Sequence, residues 1–362
     1  ASLESEKAVA STAIDPPLVW VWKFSADGEL GQIRDTLAAN GLGIILKTHD
    51  GDEWMTRFDR TADAVTGPAQ VARLAHTFEN AGIPFHAWCV VQGLDPIAEA
   101  RMCAAVLDAG ARSLYLDLEP KEGKNYWQGP WEAALTFGAE LRRLRPDAFV
   151  SVAPDARPWQ VGAVPLHEFA SFSNAIAPQS YWATFNGPSN YRRLAEHGYV
   201  VGPEGVTPEL IVEVGHGTFR HFGLPIQPIG QGASTPDLWQ RFLTTTTAGN
   251  MTPVSVWRYG SADPAVFGVL GEMVRQAREQ EAAAQVQAAP APAPVQPAEN
   301  VEALAAVAPA ASEGSSPDPE TKRESPIDAF RSRREERSWS HLLDGDDERF
   351  PTLKRLQRRF SK

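Results

Sequence analysis

Tyr115-Leu116-Asp117-Leu118-Glu119, closed by Pro120, is the stretch whose reading decides the fold. Successive side chains of an extended strand face opposite ways. Leu114, Leu116 and Leu118 therefore share one face, and Tyr115, Asp117 and Glu119 share the other. Residues two apart on a strand have Cα atoms roughly 6.6 Å apart, close enough for two carboxylates to act on one bound group. A strand that is apolar behind and doubly acidic in front is costly unless its charges are paired or put to use. The alternative to a catalytic pair is a strand end whose acids meet Lys or Arg partners.

Working outward, short apolar or β-branched runs recur on both sides of this strand. They are Leu18–Trp22, Gly43–Thr48, Pro84–Val90, Arg112–Leu118, Ala148–Ala153, Asn174–Tyr181, Glu209–Val214 and Val254–Tyr259. Helix-like stretches lie between them, including Gly67–Ala81, Asp95–Ala109, Trp131–Leu144, Thr235–Ala248 and Asp263–Arg278. Asp95, Thr235 and Asp263 are good N-caps, each followed by Pro, and Gly82 and Gly110 follow helix ends. Strict strand–helix alternation predicts a parallel sheet. Eight such units fit the size of a single α/β (β/α)₈ TIM-type barrel. A doubly wound open sheet fits less well, because no G-x-G-x-x-G follows the first strand.

Composition sets the domain limits: an extension over 1–17, a barrel over 18–280, a linker over 281–320 and a charged amphipathic tail over 321–362. The linker is rich in Ala and Pro, as in Ala289-Pro290-Ala291-Pro292-Ala293-Pro294, and such a stretch buries too little apolar surface to order itself. In the tail, Leu353, Leu356 and Phe360 recur at helical spacing among Lys354, Arg355, Arg358 and Arg359. It reads equally as a solvated segment or as an element that docks on a protein partner.

The 362-residue chain carries a net charge of −11. From Thr321 onward there are 12 Lys+Arg and 8 Asp+Glu, a net of +4, which leaves −15 for the first 320 residues. An acidic body argues against nucleic-acid binding. No apolar run approaches a membrane span, and the polar N-terminus has no signal-peptide core, so a signal was either removed or never present. Cys89 and Cys103 make no disulfide framework.

Barrel enzymes build their sites at the C-terminal ends of the strands. Those ends bring Trp20, Trp22 and Lys23; Lys47, His49 and Asp50; His86, Trp88 and Gln92; Asp117 and Glu119; Asp155 and Arg157; Gln179, Tyr181 and Trp182; Glu213 and His216; and Trp257, Arg258 and Tyr259. Many of the chain's 11 Trp thus converge on one rim, and Trp and Tyr stack on sugar faces while keeping a polar handle. His49, His86 and His216 lack the spacing of a metal motif, and no G-x-S-x-G elbow or P-loop is present, so neither metal nor cofactor is expected.

Tyr115-Leu116-Asp117-Leu118-Glu119 resembles the fourth-strand D-x-E of the glycoside hydrolase family 25 muramidases and, more loosely, the end of the family 18 chitinase motif D-x-x-D-x-D-x-E. Pro178-Gln179-Ser180-Tyr181-Trp182 is similar to the sixth-strand motif of such barrels, and Ser255-Val256-Trp257-Arg258-Tyr259-Gly260-Ser261 resembles the eighth-strand W-Q-Y-S of family 25. Two departures stand out: the first strand lacks the muramidase Asp, and Tyr115 stands where the chitinase motif has an acid.

The resemblance implies a glycoside hydrolase acting on a polysaccharide such as peptidoglycan or another amino-sugar polymer, at an extracellular or envelope location. Glu119 is then the general acid/base, and Asp117 either orients a 2-acetamido group or holds a charged partner. Glu213 is the other candidate carboxylate. Tyr181 and Gln179 would bind the 2-substituent, with Trp88, Trp182 and Trp257 as sugar platforms. Tyr259, Lys47, His49, His216 and Asp155 would make further substrate contacts. The rival reading is an inactive barrel serving an envelope, surface-layer or virion assembly as a structural or carbohydrate-binding part.

Overall fold

The computed structural model describes residues 16–288. The expectations for the extension before Pro16 and for the chain after Ala288 lie outside the described residues. The barrel belongs to a unit that runs to Gln287.

The barrel strands are β1 (Leu18–Val21), β2 (Gly43–Asp50), β3 (Phe85–Val90), β4 (Ser113–Asp117), β5 (Phe149–Ala153), β6 in two pieces (Ala175–Ile176 and Gln179–Ser180), β7 (Ile229–Gln231) and β8 (Ser255–Trp257). Each pairs in parallel with its neighbour, and β1 pairs with β8 through Leu18↔Ser255 and Val19↔Val256. The ring closes through the divided sixth strand. Its first piece pairs with β5 through Ser151↔Ala175 and its second with β7 through Gln179↔Ile229.

Helices cover the outside: α1 (Leu30–Asn40), α2 (Pro68–Asn80), α3 (Pro96–Asp108), α4 (Trp131–Leu144), α5 (Leu166–Phe172), α6 (Pro188–Glu196), α7 (Pro208–Phe219), α8 (Pro236–Ala248) and α9 (Pro264–Ala288). Asp95 and Thr235 cap α3 and α8, accepting from the backbone N–H of Ala98 and Leu238. Helix α9 continues past Gln280 to Ala288. Among the described residues no helix is long and apolar enough to cross a membrane.

Two apolar layers result from the alternation. Val19, Val21, Ile44, Leu46, Leu114, Leu116, Leu118, Val150 and Val152 face the helices in one continuous core. The opposite face fills the barrel with rings: Trp20, Trp88, Tyr115 and Trp257 pack edge to face at centroid distances of 5.3–5.7 Å. Their polar ends are satisfied: Trp20 Nε1 donates to Ser255 Oγ and Trp88 Nε1 to the Val21 carbonyl.

One expected strand is a helix. Glu209–Val214 lies in α7, where Thr207 accepts from the Leu210 N–H, Pro208 starts the first turn, and Ile211, Gly215 and Phe219 follow at helical spacing. The seventh strand is instead Ile229–Gln231, preceded by an isolated pairing of Ile226 with Ile176. Its Pro and Gly hide it from a propensity reading.

Candidate active site

Asp117 closes β4, and Glu119 lies two residues beyond on the same inward face. Asp117 is 8% exposed, and Glu119 keeps some contact with solvent. The second piece of β6 supplies what joins them. Gln179 Nε2 donates to Asp117 Oδ1 at 3.1 Å and to Glu119 Oε1 at 3.1 Å, and lies 3.2 Å from the Ala153 carbonyl. The two acceptor oxygens are therefore no farther apart than those two bonds laid end to end.

Both carboxyls are pushed toward their neutral forms. Burial raises Asp117 well above the ordinary carboxylate range and the Glu119 charge adds to it, while Lys47 pulls the other way. Burial likewise lifts Glu119, to about 7; the hydrogen bond from Gln179 opposes this and the charge of Asp155 adds to it. The pair consequently retains a proton near neutral pH, which is the form a proton donor requires.

Lys47, Asp50 and Asp155 are charged neighbours of the pair at the rim, and each is already held. Lys47 is buried, ion-pairs with Asp50 at 3.0 Å, and sits 4.8 Å over the Trp88 ring. Gln92 Nε2 donates to Asp50 Oδ1 at 2.6 Å. Asp155 is clamped by Arg157, whose Nη2 lies 2.6 Å from Oδ2, and Arg157 reaches Asn190 as well.

Two tyrosines complete the surroundings. Tyr181 follows β6, and burial together with the charges of Glu119 and Asp117 raises its hydroxyl, so it remains a neutral hydrogen-bond donor. Tyr126 arrives from the loop after β4 and feels the same two carboxylates. That loop is tied back by Trp127 N–H to the Glu119 carbonyl and by the N–H groups of Gln128 and Gly129 to the Gln92 carbonyl. Gly93 is needed at this crossing: its φ is +71°, and a Cβ there would meet the Trp127 ring at 2.5 Å. Tyr126 itself has φ +62°, and nothing in the polar stretch around it marks a residue aimed at the site.

The structure thus gathers Asp117, Glu119, Gln179, Tyr181, Lys47 and Asp155, brings Asp50 and Gln92 of the expected strand ends beside them, and adds Tyr126. It sends other expected contacts elsewhere. Glu213 and His216 are exposed on α7 instead of ending a strand. A register shift between Lys47 and His49 breaks the alternation of β2, and His49 turns outward to Cys103 behind the sheet. Trp182 is core, packed on Trp239 and Phe242. Tyr259 stacks on Phe267 and bonds Thr36 of α1. Trp88 is 2% exposed inside the aromatic plug, so of the three expected platforms only the half-buried Trp257 offers a face. Arg258, beside it, ion-pairs with Asp27.

The fold and its rim define a (β/α)₈ barrel with an inward-facing acid pair on its fourth strand. No family model matches the chain, and no curated protein matches it in sequence. Solved structures do match. A glycoside hydrolase family 18 N-acetylglucosaminidase from Paenibacillus barengoltzii superposes with a TM-score of 0.50 at 8% identity, covering 71% of this chain and 99% of that one. Active domain 2 of a Pyrococcus furiosus chitinase gives 0.47 at 11% identity, covering 73% and 96%. A dihydrodipicolinate synthase from Rhodopseudomonas palustris gives 0.39 at 12% identity, covering 75% and 79%. At such identities the likeness establishes the barrel, which hosts many chemistries.

Proposed function

We propose that the protein is a glycoside hydrolase acting on an amino-sugar polymer, with Glu119 as the proton donor to the leaving oxygen. The observation that carries this reading is the Asp117–Glu119 pair bridged by one neutral amide, with the Glu119 carboxyl lifted to about 7. Glycosidases need a carboxylic acid that stays protonated near neutral pH. An acid kept only for structure would sit against a cation; here Glu119 takes its hydrogen bond from Gln179, while Lys47 and Arg157 pair with Asp50 and Asp155.

The same pairing bears on the nucleophile. Asp50 and Asp155, two of the other acids around the pair, are both engaged by cations, and Glu122, which also raises Glu119, is exposed on the loop after β4. A substrate that supplies its own 2-acetamido oxygen needs no further carboxylate. Asp117 and Tyr181 would then hold and polarise that group, Trp257 would support a sugar face, and Glu119 would first donate a proton and afterwards take one from water. The family 25 and family 18 resemblance of the fourth strand agrees with this class of substrate.

The test is hydrolysis of a panel that includes chitin oligosaccharides, peptidoglycan and polysaccharides without 2-acetamido groups, by wild type and Glu119→Gln. Gln preserves shape but cannot deliver the proton, so its rate should fall about 10²–10⁴-fold with glycan binding retained. A wild type that binds glycans and hydrolyses none would make the protein a binding barrel. A fully active Glu119→Gln would place the acid elsewhere.

A further inference from the structure

The outward face of the sheet holds a cluster unrelated to the rim. Cys89 of β3, Cys103 of α3 and His49 at the irregularity in β2 are each at most 1% exposed. Their Sγ and imidazole nitrogen atoms all lie within 4.8 Å of one another. The Cys89 and Cys103 sulfurs are 3.7 Å apart, and Cys103 Sγ is 3.5 Å from His49 Nε2.

We propose that these three side chains form a structural site for a divalent, zinc-like ion. With M–S bonds of ~2.3 Å and M–N bonds of ~2.0–2.1 Å, a tetrahedral ion requires an S···S edge of ~3.8 Å and an N···S edge of ~3.6 Å. The Cys89–Cys103 and Cys103–His49 edges match these values, and the Cys89–His49 edge, within 4.8 Å, would settle to ~3.6 Å around the ion. A disulfide needs ~2.05 Å between sulfurs and would require the two elements to approach.

The imidazole is already oriented. Thr48 Oγ1 lies 2.8 Å from His49 Nδ1 and 3.4 Å from the Trp88 carbonyl; in the tautomer with its proton on Nδ1, the imidazole donates to Thr48 and the hydroxyl donates to that carbonyl. The Nε2 lone pair then points to the sulfurs, the outer-shell arrangement typical of histidine ligands.

Charge selects the ion. Binding forms two M–S bonds and one M–N bond and releases the two thiol protons to solvent. Two thiolates, a neutral imidazole and a divalent cation sum to zero, as an apolar layer demands, whereas a monovalent ion would leave a buried negative charge. The clip would join α3 to β2 and β3, behind the strands that present Lys47 and Trp88 to the site.

Because the ligands are buried, loading belongs to folding. The full chain is unfolded under reducing conditions and refolded with Zn²⁺ or Co²⁺, dialysed, and assayed for metal content, with parallel Cys103→Ala and His49→Asn variants. Expected are one ion per chain, thiolate-to-cobalt charge-transfer bands, and a melting temperature about 5 °C higher at a hundredfold excess of metal over Kd. Both variants should lose the bands and the shift; a variant that fails to refold is replaced by Cys89→Ala. Refolded wild type without stoichiometric metal and with both thiols titratable would overturn the assignment, as would a Cys89–Cys103 disulfide or equal loading of wild type and variants.

Discussion

Replacing Glu119 by Gln should change how the stability of the barrel depends on pH. Burial lifts the Glu119 carboxyl from 4.5 to about 7. A folded pKa above the unfolded one means that the native state holds its proton longer, so this contribution is complete below 4.5 and is lost as pH rises through about 7. At ~1.4 kcal/mol per unit the shift corresponds to about 3 kcal/mol, reduced to about 2 kcal/mol because Glu119 retains solvent contact. Gln does not ionise and escapes the loss.

Relative to wild type, Glu119→Gln should therefore gain about 2 kcal/mol on going from about pH 4 to about pH 8, or about 4 °C in melting temperature for a chain of this size. His86 works in the opposite sense: burial lowers it to about 4, so its contribution grows as pH rises. It is common to both proteins and cancels in the difference, whereas Asp117, lifted by burial and by the Glu119 charge, comes down in the variant and adds to the gain in the same sense. Thermal melts of the two proteins across this range measure the effect. Parallel pH dependences would show that Glu119 ionises as an ordinary surface acid, and the proton-donor reasoning would fail with it.

On the substrate that the panel identifies, Asp155→Asn removes a charge that lifts Glu119, so the alkaline limb of the pH–rate profile should move to lower pH. Gln179→Ala removes the hydrogen bond that holds Glu119 down and should move that limb up, with a lower kcat. Trp257→Ala should raise KM more than it lowers kcat, as loss of a stacking face does. Trp182→Ala, made in the core against Trp239 and Phe242, should cost about 3–5 kcal/mol in denaturant unfolding and leave the KM of the surviving folded protein near the wild-type value.

The alternation of strand four was readable because both layers it separates are strongly selected: leucines against helices on one side, a tyrosine and two acids on the other. The strand–helix rhythm was equally plain wherever caps and glycines punctuated it. It failed at Leu210-Ile211-Val212, where a β-branched run sits in a helix begun by Thr207 and Pro208. Side-chain direction was the harder quantity. The shift after Lys47 inverts His49, and no residue type announces it. Aromatic residues near strand ends do not declare whether they plug the barrel, as Trp88 does, or pack beneath a helix, as Trp182 does. Tyr126 depends on a loop tied to Glu119 and Gln92 by backbone groups, which have no sequence signature.

The divided sixth strand also makes the setting of the acid pair a matter of long-range contact. Gln179 meets Asp117 and Glu119 across 62 and 60 residues of chain, and it lies in the piece that pairs with β7. A chain organised only through β5 would hold both acids without their amide, as hydrated and ordinarily ionised carboxylates. Their dehydration then falls on the late, long-range pairings, the slow class of folding event. The barrel must close against its own acid pair, and more so in alkaline solution than in mildly acidic solution.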